Sequence, residues 1–211
     1  MCGRFTLRRD LESVCRELRI ERVGGSVLHE PRYNIAPTQQ ALVLLNEVDP
    51  GRRISPMVWG IPRNRGARKV RQINTRAEAF PPRSSRCAVI SDGFYEWAGT
   101  KGSARQPYWF HRPDDGLILM AGLWQWAEVE NGYEQTFAIV TTAANAAVAP
   151  IHDRMPTILE GDSLALWLNP NAVERDLPGL LGPARDELLE RRAVSTAVND
   201  AKNDGPELLL G

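Results

Sequence analysis

The chain has 211 residues, 43% hydrophobic and 25% charged, the composition of a globular protein long enough for one substantial core. No apolar run reaches the roughly 18 to 20 residues of a membrane span, and the start Met-Cys-Gly-Arg-Phe-Thr lacks the basic-then-apolar order of an export signal. Membrane association is therefore excluded as an expectation and a cytoplasmic location is expected. Formal net charge is zero, so no global field attracts nucleic acid, yet between Gly51 and Arg86 ten basic residues face Glu78 alone. That run reads either as a solvated face or as a local phosphate-binding patch.

In chain order, Asp10 is placed to cap a short amphipathic helix from Leu11 to Leu18, with Glu12 in its first turn. Leu11, Val14, Cys15 and Leu18 form its apolar stripe. After a polar stretch through Tyr33 to Pro37, the runs Ala41 to Leu45 and Pro56 to Gly60 read as strands, and the Gly/Arg-rich Arg63 to Arg68 as a loop and the natural site for mobility. From Cys87 to Thr142 the pattern is that of a β-meander, with strands at Cys87–Ser91, Phe94–Ala98, Tyr108–His111, Leu117–Trp126 and Thr136–Thr142. Its joints are expected at Asp92-Gly93, Thr100 to Ser103, Asp114-Asp115-Gly116 and Asn131-Gly132. A helical-looking Ala143 to Val148, a short strand near Thr157 to Leu159, a helix around Ser163 to Leu168 and helical patterns near Arg185 to Arg192 complete the reading. The expected fold is a single α+β domain over residues 1–211, with a mostly antiparallel, barrel-like β core surrounded by helices.

The three cysteines, Cys2, Cys15 and Cys87, are odd in number and lack C-x-x-C spacing, which argues against a disulfide framework or a thiolate zinc site and fits a reducing compartment. Cys15 and Cys87 lie in apolar patterns and read as core. Cys2 has no such packing explanation. It is either a chance residue at a frayed terminus or, once Met1 is removed, a free α-amine and a thiol on adjacent carbons, with reference pKa values of roughly 8 and 8.5. An aldehyde meeting this pair forms an imine with the amine, and the thiol then closes a five-membered thiazolidine. With Met1 attached, the Cys2 nitrogen is an amide and cannot form the imine.

Met1-Cys2-Gly3-Arg4-Phe5, Arg32-Tyr33-Asn34-Ile35-Ala36-Pro37, Trp59-Gly60, Ile73-Asn74-Thr75-Arg76-Ala77-Glu78, Asp92-Gly93-Phe94-Tyr95-Glu96-Trp97 and Ile151-His152-Asp153-Arg154-Met155-Pro156, taken in order, resemble the SRAP (SOS response-associated peptidase) family. The match continues to Val198-Asn199 and Asn203-Asp204-Gly205-Pro206-Glu207. The resemblance implies a sensor and shield of abasic sites in single-stranded DNA, crosslinked as a thiazolidine through Cys2, with a weak strand-cleaving lyase side reaction through the imine. It also implies a monomer, nucleoid-associated when bound to DNA, with no metal and no cofactor. The alternative carried by the family name is a thiol peptidase of the N-terminal-nucleophile kind, including autocatalytic removal of Met1. A third reading is a non-catalytic nucleic-acid binding module.

Under this resemblance the catalytic residues are Cys2, Asn74, Glu96 and His152. Strand alternation sets Glu96 on the face opposite Tyr95 and Trp97, where a partly desolvated carboxyl can shuttle protons; the alternative is a surface glutamate. His152 is assigned proton transfer on the sugar oxygen, against a structural or solvated loop histidine. Asn74 can donate to a sugar oxygen and accept from the Cys2 amine, or cap a turn or helix. Arg4, Arg76 and Arg154 are expected on phosphates flanking the lesion, with Asn34, Pro37 and Trp59 as further DNA contacts, the last two wedging or stacking on unpaired bases.

Overall fold

The computed structural model describes residues 2–20, 23, 27–47, 51–80, 85–99, 105–130 and 132–210. Strand β1 (Phe5–Leu7) is followed by helix α1 (Leu11–Leu18), then β2 (Arg32–Ile35), β3 (Gln40–Glu47), β4 (Gly51–Trp59), β5 (Ile61–Arg65), β6 (Arg68–Gln72) and β7 (Asn74–Arg76). Next come β8 (Ser85–Ser91), β9 (Gly93–Ala98), β10 (Gln106–His111), β11 (Ile118–Val129), β12 (Gly132–Ala143) and β13 (Arg154–Pro156), then helix α2 (Gly161–Leu168) and β14 (Glu190–Ala193). The expected joints at 100–103 and Asn131, like Met1, lie outside the described residues.

Five strands close on themselves. β3 pairs antiparallel with β4 and β8, β8 with β11, β11 with β12, and β12 returns parallel to β4 through Thr136↔Val58 and Phe137↔Trp59. The ring is filled at one level by Trp59, whose indole lies 5.1 Å from Phe5 and stacks on Phe137 at 6.3 Å between centroids. A second sheet, ordered β14-β10-β9-β1-β2, lies beside the ring. The expected α+β fold with a barrel-like, mostly antiparallel core is what forms, and the two α-helices among the described residues have eight residues each.

Helix α1 begins as expected. The Asp10 carboxylate accepts from the Ser13 N–H at 2.8 Å, and the helix ends at Arg19 in the left-handed region with φ 53°. Val14 is buried, with Leu11, Cys15 and Leu18 packed against the core beside it.

Several expectations are corrected. The 87–142 region is not a meander, because β8 belongs to the ring and β9 to the second sheet. The joint expected at Asp92 does fall between β8 and β9, and Asp92 is buried: its carboxylate accepts from the Thr6 hydroxyl at 2.6 Å and the Arg8 N–H at 2.7 Å. Arg63 to Arg68 is not a loop but a hairpin, with β5 and β6 paired from Ile61↔Gln72 to Arg65↔Arg68 about a turn at Gly66, φ 62°. Near Arg185 to Arg192 a single 3₁₀ turn at Asp186–Leu188 gives way to β14, since the open edge of β10 offers a ladder, Tyr108↔Ala193 to His111↔Glu190, that overrides local helical pattern. Likewise 146–151 forms turns rather than helix. The short extended segment expected near Thr157 to Leu159 forms as a bridge of Ile158 to Met120 on β11, with the Leu159 N–H donating to the Leu119 carbonyl at 2.8 Å, and β13 precedes it.

Among the described residues no helix is long and apolar enough to cross a membrane.

Candidate functional site

The site is assembled where β1, β7 and β9 meet the end of β12. β1 runs antiparallel to β9 with Phe5↔Phe94 and Thr6↔Gly93, and the Tyr95 N–H donates to the Arg4 carbonyl at 3.0 Å. This pairing carries the residues before Phe5 along β9 towards Glu96. Cys2 is 0% exposed, so the packing role that its sequence position did not suggest is real. Its thiol approaches the Arg4 carbonyl at 3.8 Å. Burial pushes the thiol well above its usual range, and the nearby Glu96 carboxylate pushes it further, so at neutral pH the sulfur carries its proton.

Glu96 sits on the face expected from strand alternation. Tyr95 and Trp97 turn to a separate apolar cluster with Trp109, Val198, Leu208 and Leu209, while Glu96 turns to Cys2 and is 2% exposed. Burial raises its carboxyl to about 7, with Asp153 adding to the rise and Arg105 opposing it. A carboxyl poised there exchanges protons in both directions near neutral pH.

Asn74 is set by the core. The Trp59 indole N–H donates to the Ile73 carbonyl at 2.9 Å, the Ile139 N–H donates to the same carbonyl at 3.0 Å, and Asn74 pairs with Ile139 at the start of the parallel β7–β12 ladder. From this anchored position the Asn74 amide donates to the Cys2 main-chain carbonyl at 2.9 Å. Its side-chain oxygen is buried with no acceptor role filled among the described residues. The helix-cap alternative does not hold, because Asn74 is in a strand and the following 3₁₀ turn starts at Ala77.

His152 enters from the turn before β13, whose N–H groups fix its ring. The Arg154 N–H donates to Nδ1 at 3.0 Å, while Asp153 Oδ1 lies 2.9 Å from the same nitrogen. One nitrogen cannot serve both as acceptor and as donor. Desolvation, the largest influence, lowers the His152 pKa, so the neutral ring with its proton on Nε2 is the consistent state.

The expected DNA contacts divide. Arg76 is exposed on β7, and Pro37 is half-buried ahead of Thr38, which holds φ 77°. Trp59 is corrected to a core residue: it is fully buried and presents no ring face to a base. Asn34 is also corrected, since it is fully buried and its amide is occupied by Arg4 and by the carbonyls of Val198, Asp200 and Asn203. Arg4 gives Nη1 to Asn34 Oδ1 at 2.8 Å and to the Val198 carbonyl at 2.7 Å, and Nη2 to the Asn199 carbonyl at 3.3 Å. Arg154, its side chain 12% exposed, forks onto Glu78 at 2.7 and 2.9 Å and donates to the Thr141 carbonyl at 2.5 Å. That pairing holds Glu78 down to about 2 and commits Arg154 to the protein.

Arg105 was not singled out from the sequence. It is exposed just ahead of β10, the strand that sets Tyr108 opposite Glu96, and its charge acts on both Glu96 and His152. Only the β9–β10 pairing reveals this; no local motif marks it. Among the described residues no group of three or more His, Cys, Asp or Glu side chains is arranged to hold a metal ion.

The profile of the family described as SOS response associated peptidase (SRAP) matches residues 1–201. The chain belongs to the SRAP family. Among its SRAP-family relatives, Abasic site processing protein YoqW of Bacillus subtilis is 34% identical, with 99% of each chain covered. Abasic site processing protein YedK of Escherichia coli is 30% identical, again with 99% of each chain covered. A crystal structure of a protein from Bacteroides thetaiotaomicron superposes with a TM-score of 0.80 at 21% identity, covering 99% of both chains, and shows that this SRAP fold is shared.

Proposed function

We propose that this protein recognises abasic sites in single-stranded DNA and shields them by forming a thiazolidine crosslink through Cys2 after Met1 has been removed. The observation that carries the reading is the Asn74–Cys2 contact at 2.9 Å beside a carboxyl raised to about 7. The names of the SRAP relatives, abasic site processing proteins, supply the substrate class.

The ring-opened sugar presents an aldehyde. The Cys2 amine adds to its carbon, a proton reaches the oxygen from the Glu96 carboxyl while the Nε2–H of His152 hydrogen-bonds that oxygen, and water leaves as the C=N bond forms. The thiol then adds across that bond: sulfur bonds to carbon, and its proton passes by way of the Glu96 carboxylate to the nitrogen. The buried Asn74 oxygen accepts from the Cys2 amine and aims it. Elimination through the same imine is the route to slow strand cleavage. Arg76 and Arg105 are the exposed cations beside the site that meet backbone phosphates.

A thiol peptidase would use the Cys2 sulfur alone, whereas the Asn74 contact to the Cys2 main chain supports the aldehyde route, which also uses the amine. Mass spectrometry tests the proposal. The purified protein should lack the mass of Met1 and gain the mass of an abasic oligonucleotide less one water, localised to Cys2. A Met1-retaining protein that forms the same adduct would falsify it.

A further inference from the structure

The segment 195–204 is fastened to Arg4, β2 and β9 by polar groups rather than by a strand ladder. Val198 is its apolar plug, fully buried against the cluster of Tyr95 and Trp109. The Trp97 indole N–H donates to Asn199 Oδ1 at 2.7 Å. Asp204 accepts the N–H groups of Tyr33 at 2.5 Å and Asn34 at 2.8 Å with one oxygen, and pairs with the Arg32 guanidinium through the other.

Asn34 is the knot in this strap. Its amide nitrogen donates to the carbonyls of Val198 at 3.1 Å, Asp200 at 3.0 Å and Asn203 at 2.8 Å, while its oxygen takes Arg4 Nη1 at 2.8 Å. A fully buried side chain that holds three carbonyls of a distant segment and one guanidinium has every polar atom committed. Arg4 in turn links the strap to the nucleophile. Its guanidinium is held by the strap, and its own carbonyl receives the Tyr95 N–H at 3.0 Å and is approached by the Cys2 thiol at 3.8 Å.

We infer that Asn34 and Asp204 are positioning residues: by fastening the strap to Arg4 they fix the main chain at Arg4 and so point the Cys2 thiol for ring closure. The inference rests on the crosslinking reading above. It separates two steps that the sulfur and the amine of Cys2 perform. The amine is aimed by Asn74 from the β7 side, independent of the strap, whereas the thiol is aimed by the Arg4 carbonyl. Loosening the strap therefore slows the second step and spares the first.

The test uses the full chain and an abasic single-stranded oligonucleotide, with Asn34→Asp and Asp204→Asn variants. Asn34→Asp keeps an acceptor for Arg4 and removes the three donated bonds; Asp204→Asn alters a side chain that is 24% exposed and conserves its size. Aliquots are quenched with borohydride, which traps imine and leaves the closed ring, or heated without reduction, which preserves the ring alone. The expected result is imine capture within about twofold of the parent and ring closure slowed about tenfold, the loss expected when a positioning contact is removed. Simple destabilisation lowers both together, and a fall in both, or no change in either, overturns the inference. A parent protein that forms no durable adduct would instead sink the crosslinking reading itself.

Discussion

The Asn74 side-chain amide and the Cys2 main-chain carbonyl are joined at 2.9 Å across 72 positions of sequence, which makes β7 the element that holds the chain's first residues against the end of β12. Replacing Asn74 with alanine removes the donor and also the buried acceptor beside it. The cost of losing such a bond is about 1 to 3 kcal/mol, so adduct formation with abasic single-stranded DNA should slow roughly 5- to 150-fold. The check is a gel time course at saturating DNA; a rate equal to the parent's removes Asn74 from the reaction.

Glu96 gives a pH dependence in two observables. With its carboxyl raised to about 7 by burial, the carboxylate form that carries the thiol proton to nitrogen grows as pH rises, and the ring-closure rate should climb through pH 7 to a plateau. Stability moves the other way. A carboxyl whose folded pKa lies above its unfolded value of 4.5 favours the folded state fully below pH 4.5, and that contribution is lost as pH rises towards 7. The loss is on the order of 3 kcal/mol at most. Glu96→Gln should therefore flatten urea-derived stability between pH 4 and pH 8 while slowing adduct formation about 100-fold or more. Equal pH slopes for the two proteins would contradict the burial-driven shift.

Asn74, Glu96 and His152 are legible as site residues through the short motifs that carry the SRAP resemblance rather than through local chemistry alone. Asp10 announces α1, and alternation about Glu96 separates it from Tyr95 and Trp97 without any knowledge of the neighbours. What the sequence hides is set by pairing between distant strands. Nothing local shows that Asp92 leaves one sheet for another, that Arg63 to Arg68 folds back on itself, or that the residues near Arg191 complete an edge of β10. The same limit explains Trp59 and Asn34, where residue type suggests ligand contact and only tertiary packing shows that the ring fills the barrel and the amide is spent on the chain's own carbonyls. Arg105 reaches the site only because β10 pairs with β9.

Trp59 should accordingly behave as a core residue. Trp59→Ala removes the ring between Phe5 and Phe137 and should cost about 3 to 5 kcal/mol. Trp59→Phe keeps an aromatic filler but deletes the indole donor to the Ile73 carbonyl, so the effect should pass to Asn74. Its thermal midpoint should fall less than that of the alanine variant. Its affinity for intact single-stranded DNA, read by fluorescence anisotropy, should match the parent's, whereas a base-stacking role requires that affinity to drop.

Gly93 tests the junction through which Glu96 is delivered. A Cβ built on Gly93 meets the Trp109 indole at 2.2 Å from Nε1 and 2.5 Å from Cε2, far inside contact distance. Trp109 cannot yield easily, since it is buried, donates to the Thr6 hydroxyl at 3.2 Å, stacks on His111 at 4.2 Å and lies under the Arg8 and Arg192 guanidinium groups at 4.7 and 4.8 Å. Thr6 is in turn the partner of Asp92, so a displaced indole disturbs the β1–β9 pairing that brings Cys2 to Glu96. Gly93→Ala should lose about 1 to 3 kcal/mol through overpacking and reduce adduct formation even at temperatures where it stays folded. Calorimetry beside the gel assay decides this: parent-like stability would show that β9 can shift without penalty, and parent-like crosslinking in a destabilised variant would show that the β1–β9 register does not govern the approach of Cys2 to Glu96.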